Sequence, residues 1–283
     1  GRAELLERCL ASLARSTALP REVLVVDQSG SPAVAAAVAA HDALGARLVP
    51  CSGTGIATGT NLGLREARGE HVAVTHDDCT VDEGWVAAAA RHASASPDAI
   101  VTGRVLPAGQ AEAVPSTRTS AVPFDFTGLA LYGVLYPANM VLPREAVLGL
   151  GGFDERPSLR LAAEDNDLCY RWLTAGRRLR FEPELVVWHH DWRSPGELAA
   201  LYVRYARGQG AFYAKHLAAG DRRMVRFLAE DLGRGARSVA AAILRRRPRW
   251  QDERRGLLRG LPAGLWAGAR DEWRIRRARA PER

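Results

Sequence analysis

Lysine is almost absent from this chain: of 39 basic side chains only Lys215 is a lysine, and the rest are arginines. No run of about 18 apolar residues occurs, so no membrane-spanning helix is expected. The N-terminus lacks the basic-then-apolar pattern of a secretory leader. Cysteine is scarce and scattered, at Cys9, Cys51, Cys79 and Cys169, with no CxxC pair or metal-knuckle spacing. A disulfide framework or zinc ribbon is therefore not expected, and a reduced, cytoplasmic setting is. No repeat of fixed period is visible. What remains is ordinary for a folded protein: 283 residues, 47% hydrophobic and 25% charged. That suffices to bury a core in one large domain, or one domain with an appendage.

The net charge of +7 and the isoelectric point near 9.7 invite a nucleic-acid reading. The distribution argues otherwise. Residues 1–190 carry a net charge of −5 and residues 191–283 a net charge of +12. No helix-turn-helix, RNP or zinc signature accompanies the basic third, so no nucleic-acid partner is expected.

Along the first two thirds, strand and helix patterns alternate. Leu5, Leu6, Cys9, Leu10 and Leu13 share one helical face. The run Val23-Leu24-Val25-Val26-Asp27 reads as a buried strand ending in a carboxylate. Ser31 and Pro32 look like the cap and first residue of a helix to about Leu44. A strand at 47–50, a helix from Gly53-Thr54-Gly55 to about Ala67, a strand at 71–75, a helix at 82–95 and a strand at 99–105 follow. Such alternation predicts an α/β fold with a parallel sheet, whose ligands gather at the carboxyl ends of strands. Residues 106–130 read as a long loop and 131–150 as apolar again. Gly151-Gly152-Phe153-Asp154 is a turn, and a helix from Glu164 should stop at Gly176. A last strand, 185–188, runs into His189-His190.

Two strand ends thus deliver acids to one edge. Asp77-Asp78 suits a divalent cation of the Mg²⁺ or Mn²⁺ class, and equally a capping turn. Glu164-Asp165-Asn166-Asp167 crowds three acids into one helical first turn. Capping and the helix dipole explain part of that, and mutual repulsion would raise one carboxyl into the range of a general base. His189 is a ligand type for such metals, or a histidine bonded locally.

The order of these blocks resembles the family 2 glycosyltransferases of the GT-A fold. Val25-Val26-Asp27, Asn61-Leu62-Gly63, Asp77-Asp78-Cys79, Gly151-Gly152-Phe153-Asp154, Glu164-Asp165-Asn166-Asp167 and Val187-Trp188-His189 all fall in family order. The resemblance implies an α/β, Rossmann-type mixed sheet that binds a nucleotide sugar over residues 1–194, with a basic helical region over 195–283. It implies an inverting, metal-dependent transfer of a sugar to a hydroxyl. The acceptor would be a cell-surface glycan, a lipid-linked or a natural-product hydroxyl. By similarity, Asp165 is the general base with Glu164 beside it. Asp78 and His189 hold Mn²⁺ or Mg²⁺. Asp27, Asn61, Asp77 and Asn139 lie on the donor side. Arg193 is assigned to the diphosphate from its charge. Cys79 and Cys169 are expected to be packed thiols.

Three positions depart from the family pattern: Gln28 after Asp27, Thr60 before Asn61, and His76 before Asp77. The family's first central strand would precede residue 1, which leads to the expectation of further residues upstream. These departures keep a second reading open, a catalytically inactive module that binds a sugar nucleotide or a membrane surface. A nucleotidyltransferase is a third, for which Gly53-Thr54-Gly55 is a poor phosphate loop. The last third reads as three or four helices in which Trp250, Trp266 and Trp273 interleave with arginine pairs. That pattern suits an anionic membrane surface on the inner face of the cell membrane, or a solvated face.

Overall fold

A computed structural model describes residues 2–109, 117–126, 128–129, 134–160, 162–190, 195–244 and 251–279. The chain divides into two compact units. The first comprises Gly1–Thr54, Thr58–Phe153 and Leu168–Trp192; the second comprises Gly55–Ala57, Asp154–Asp167 and Arg193–Arg283.

The first unit opens with α1 (Arg2–Ala14), β1 (Val23–Asp27), α2 (Pro32–Ala39) and β2 (Ala46–Pro50). It continues with α3 (Ile56–Glu66), β3 (His71–Val74), β4 (Cys79–Val81), α4 (Trp85–Ala95) and β5 (Ile100–Pro107). Then come β6 (Phe124–Asp125), β7 (Met140–Pro143), α5 (Arg144–Gly149), α6 (Glu164–Thr174) and β8 (Leu179–His189). Helices α3 and α6 begin in the second unit and end in the first.

Most expected elements form where the patterns put them. Apolar residues three and four apart turn α1 inward, burying Leu6, Cys9, Leu10 and Leu13. Pro32 opens α2, although the Ser31 hydroxyl makes no capping bond. The pattern expected to continue to Leu44 tightens instead into a 3-10 turn over Asp42–Leu44, stopped by Gly45 at φ 61°. Gly176, at φ 73°, ends the turn after α6 as expected.

The sheet is not all parallel. Strands β1 and β2 pair in parallel, with Asp27 opposite Pro50. A separate sheet runs β3-β7-β5-β8-β4, with β6 also on β8. Its β5–β8 pair is parallel, and β3–β7, β5–β7, β4–β8 and β6–β8 are antiparallel. The mixed sheet implied by the resemblance is what forms. Strand β8 starts six residues before the expected 185, and β4 was not foreseen at all. Neither is legible as an amphipathic strand, because β8 is kinked where its register on β5 shifts between Gly103 and Arg104. A Cβ on Gly103 would meet the Leu185 carbonyl and the Asn139 amide, so only glycine fits there. Leu10, Trp85, Val101, Val105, Val141 and Val187 belong to one apolar core.

The second unit contains α7 (Pro195–Ala218), α8 (Arg223–Ile243) and α9 (Gln251–Arg279). Four glycines repeat every four residues along α9: Gly256, Gly260, Gly264 and Gly268. A Cβ on Gly256 would lie 3.0 Å from Tyr202 backbone, and on Gly268 2.7 Å from the Ala211 carbonyl. On Gly260 and Gly264 it would overlap the Val203 and Arg207 carbonyls. Helix α9 therefore packs on α7 backbone to backbone, a closeness that side chains forbid. Tyr213 of α7 donates its hydroxyl to Asp231 of α8 at 2.5 Å. No helix among the described residues is long and apolar enough to cross a membrane.

Candidate active site

In the first unit, a tight turn carries the two acids. The Cys79 N–H donates to the His76 carbonyl at 3.1 Å, so Asp77 and Asp78 are the turn's central residues. Strand β4 then pairs with β8 in the register Cys79 to His189. That register brings distant sequence together: the His189 Nε2 lies 3.5 Å from the Asp78 Oδ1, and the His190 N–H donates to the Asp78 carbonyl at 2.8 Å. Asp78 and His189 are 3% and 6% exposed.

Ligand atoms of Asp78, Cys79 and His189 all lie within 4.8 Å of one another. An oxygen and an imidazole nitrogen at that spacing fit one divalent ion. The Cys79 thiol is a poorer donor for a hard cation. Burial, and then the charges of Asp78 and Cys9, push it far above its ordinary value. Cys79 and Cys169 are buried, free thiols, as expected.

Asp77 is more open. It pairs with Arg2 at 2.5 Å, and Arg2 also reaches Asp78 at 3.4 Å. Burial raises the Asp77 carboxyl above its ordinary range, against the pull of the Arg2 guanidinium. Arg2 is half exposed, so its hold is weak, on the order of 0–1 kcal/mol.

A groove of about 360 Å³ opens at the carboxyl ends of β1 and β2, lined by Asp27, Ser31, Ala35, Leu48, Cys51 and Ser52 among others. Asp27 braces the groove's lip. Its carboxylate accepts the Ser29 N–H at 2.8 Å and the Gly30 N–H at 3.1 Å. Aliphatic walls with one carboxylate at the rim suit a flat ring carrying hydroxyls.

Two residues expected on the donor side prove internal. The Asn61 amide donates to the Phe153 carbonyl and accepts the Phe153 N–H, each at 2.8 Å. It pins the Gly151-Gly152-Phe153 turn, which Arg171 also holds through the Leu150 and Gly152 carbonyls. Asn139 is fully buried. It accepts the Trp85 indole N–H at 2.9 Å and donates to the Arg104 and Leu185 carbonyls at 2.8 and 2.9 Å. Those carbonyls flank the register shift, so Asn139 satisfies polar groups that the ladder leaves over. Both side chains bond to groups of the fold itself. Arg193 lies outside the described residues.

Glu164 and Asp165 belong to the second unit. They follow Ala163, whose φ of 67° is left-handed, a conformation that costs an alanine about 1–3 kcal/mol. Glu164 is 2% exposed, and its Oε2 has no hydrogen-bond partner. Burial, and then the Asp165 charge, raise it well above the carboxylate range. Burial lifts Asp165 to about 6, opposed by the Asn166 N–H that it accepts at 2.7 Å. A carboxyl of that kind exchanges a proton readily near neutrality.

Helix α7 clamps the two residues that follow this acid. Asn166 donates to the Gln209 carbonyl oxygen at 3.0 Å. The fully buried Asp167 takes Lys215 at 2.6 Å and His216 at 2.9 Å. Lys215, the chain's one lysine, also holds Asp154 at 2.6 Å. Lys215, together with Arg156, keeps the Asp154 carboxyl below its ordinary range despite burial. Sequence reasoning singled out the acids and missed this cation, because nothing local links position 215 to 154 or 167.

A family model described as "Glycosyl transferase family 2" matches residues 1–137. The pre-mycofactocin glycosyltransferases of two Mycobacterium tuberculosis strains, CDC 1551 / Oshkosh and ATCC 25618 / H37Rv, are each 30% identical over 183 residues. The alignment covers 53% of this chain and 36% of each relative, so the chain spans about a third of their length. Among solved structures, S. aureus TarS 1-349 in complex with UDP has a TM-score of 0.55 at 15% identity, over 99% of this chain and 90% of that one. GalNAc-T7 with UDP, GalNAc and Mn²⁺ has a TM-score of 0.53 at 17% identity, over 76% of this chain and 48% of that one. At such identities the likeness is one of fold. The family match and the fold together place residues 1–137 of this chain with the family 2 glycosyltransferases, on a fold of the GT-A kind.

Proposed function

We propose that the chain transfers a sugar from a nucleotide-sugar donor to a hydroxyl acceptor, with inversion at the anomeric carbon. The observation that carries this is the meeting of Asp78 and His189 across the β4–β8 ladder, in a chain whose residues 1–137 match a family 2 model. A nucleotide sugar suits the groove that Asp27 rims, and UDP is the nucleotide in the two solved relatives. Asp78 and His189 would hold the cation, with Asp77 beside them. Bound there, a divalent cation supplies charge neutralisation for the departing diphosphate. Asp165 accepts the proton of the acceptor hydroxyl while its oxygen bonds to the anomeric carbon and the bond to the diphosphate breaks. Glu164 stands beside that base, its buried carboxyl raised well above the ordinary carboxylate range. No nucleophilic side chain is needed in a direct displacement.

Release of nucleoside diphosphate from a panel of nucleotide sugars, with Mn²⁺, Mg²⁺ or a chelator, tests this reading. The expected result is cation-dependent release for one donor, with an acid limb near pH 6 from Asp165. Tight donor binding with no release under any condition would favour the inactive binding module that Gln28 and Thr60 suggest.

A further inference from the structure

The glycine stripe that seats α9 on α7 decides what α9 shows to the other side. Trp266 and Trp273, seven residues apart, lie two turns apart on the face opposite Gly260, Gly264 and Gly268. They are 72% and 57% exposed, an unusual state for the largest apolar side chain. Arg259, Arg270, Arg274 and Arg277 are exposed around them. The Arg277 guanidinium stacks over the Trp273 ring at 5.2 Å.

The acids of the same stretch turn the other way. Asp271 is 3% exposed and accepts the Ser158 N–H at 3.0 Å. Glu272 pairs with Arg156. Every charge left on the outer face over residues 256–278 is therefore an arginine. Charges of one sign ringing two projecting indoles match a surface that is anionic at its head groups and apolar just beneath. Trp rests at such an interface because its ring is apolar and its N–H is polar. Nucleic acid would match the arginines and leave the indoles in water unless bases unstacked onto them.

We infer that this outer face of α9 docks on an anionic lipid bilayer, with Trp266 and Trp273 in the head-group boundary and the arginines on the lipid phosphates. The inference is independent of glycosyl transfer. It gives the +12 of the last third a task, and it needs no membrane-spanning segment.

The test is co-sedimentation of the whole chain with vesicles of phosphatidylcholine alone or mixed with phosphatidylglycerol. Binding should appear on the mixed vesicles and weaken with salt. Arg270→Glu with Arg274→Glu should lower partitioning at least tenfold, since each basic side chain near such a surface contributes on the order of 1 kcal/mol. Trp266→Ala with Trp273→Ala should weaken binding and abolish the blue shift of tryptophan emission on vesicle addition. All four positions are exposed, so melting temperatures should stay within a few degrees of the parent. Equal partitioning to both vesicle types would overturn the inference. So would mixed-vesicle binding that ignores both double variants. Binding to heparin or an acidic peptide without binding to vesicles would also overturn it, and would assign the face to an acidic macromolecule.

Discussion

The first unit is held by strand ladders around an apolar core, with buried amides that bond to named backbone groups. The second is held by helices that touch through glycine and by ions sealed beneath them. Asn139, Asn61 and Trp85 show the first style. Gly264, Lys215 and the Tyr213–Asp231 pair show the second. The two styles fail differently. A ladder with one lost hydrogen bond keeps its other rungs. A cation shared by two carboxylates weakens both pairings when it goes, leaving Asp154 to Arg156 and Asp167 to His216.

Lys215→Met is expected to give the largest loss, about 3–5 kcal/mol in denaturant unfolding, because Asp154 and Asp167 lose their shared cation. A loss below about 1 kcal/mol would remove the contrast between the units. Gly264→Leu comes next, at about 3 kcal/mol, since its side chain must enter the Arg207 backbone. Gly149→Ala is the matched control in the first unit, with nothing within 4 Å of its Cβ, and should change stability by less than about 1 kcal/mol. Asn139→Ala should cost about 2 kcal/mol, chiefly the unpaired Trp85 N–H and the two carbonyls.

The subtlest contrast is a slope. Burial raises Asp231 from 3.8 to about 6, so between those values the folded chain binds more protons than the unfolded one. Its contribution to stability is present at acid pH and is lost as pH rises through about 6. Asp231→Asn should flatten stability against pH in that window, as unfolding measured across it will show.

The units also differ in how far their sequences declare them. Strand β1, helix α1 and the Gly176 stop follow from local patterns of apolar spacing and backbone freedom. The acids of the site stand out in the same way. Strand β4 and the early half of β8 do not, because β4 is three residues long and β8 changes register midway. The meeting of Asp78 with His189 depends on that pairing and has no local signal. Asn139 and Asn61 carry family motifs, yet their buried amides are committed to backbone that only the fold brings near. In the second unit the spacing of Gly256, Gly260, Gly264 and Gly268 was present in the sequence. It reads as a helix-packing face only once α7 is known to lie against it. The arginines that surround it draw attention to solvent instead.

The proposed transfer turns on Asp165, lifted to about 6 by burial, taking the acceptor's proton. The most direct measurement is the transfer rate of Asp165→Asn on the active donor, alongside its affinity for the nucleotide. The expected result is a fall of about 10²–10⁴ in rate with affinity retained, and loss of the acid limb near pH 6. A variant that transfers sugar at the parent rate would contradict it.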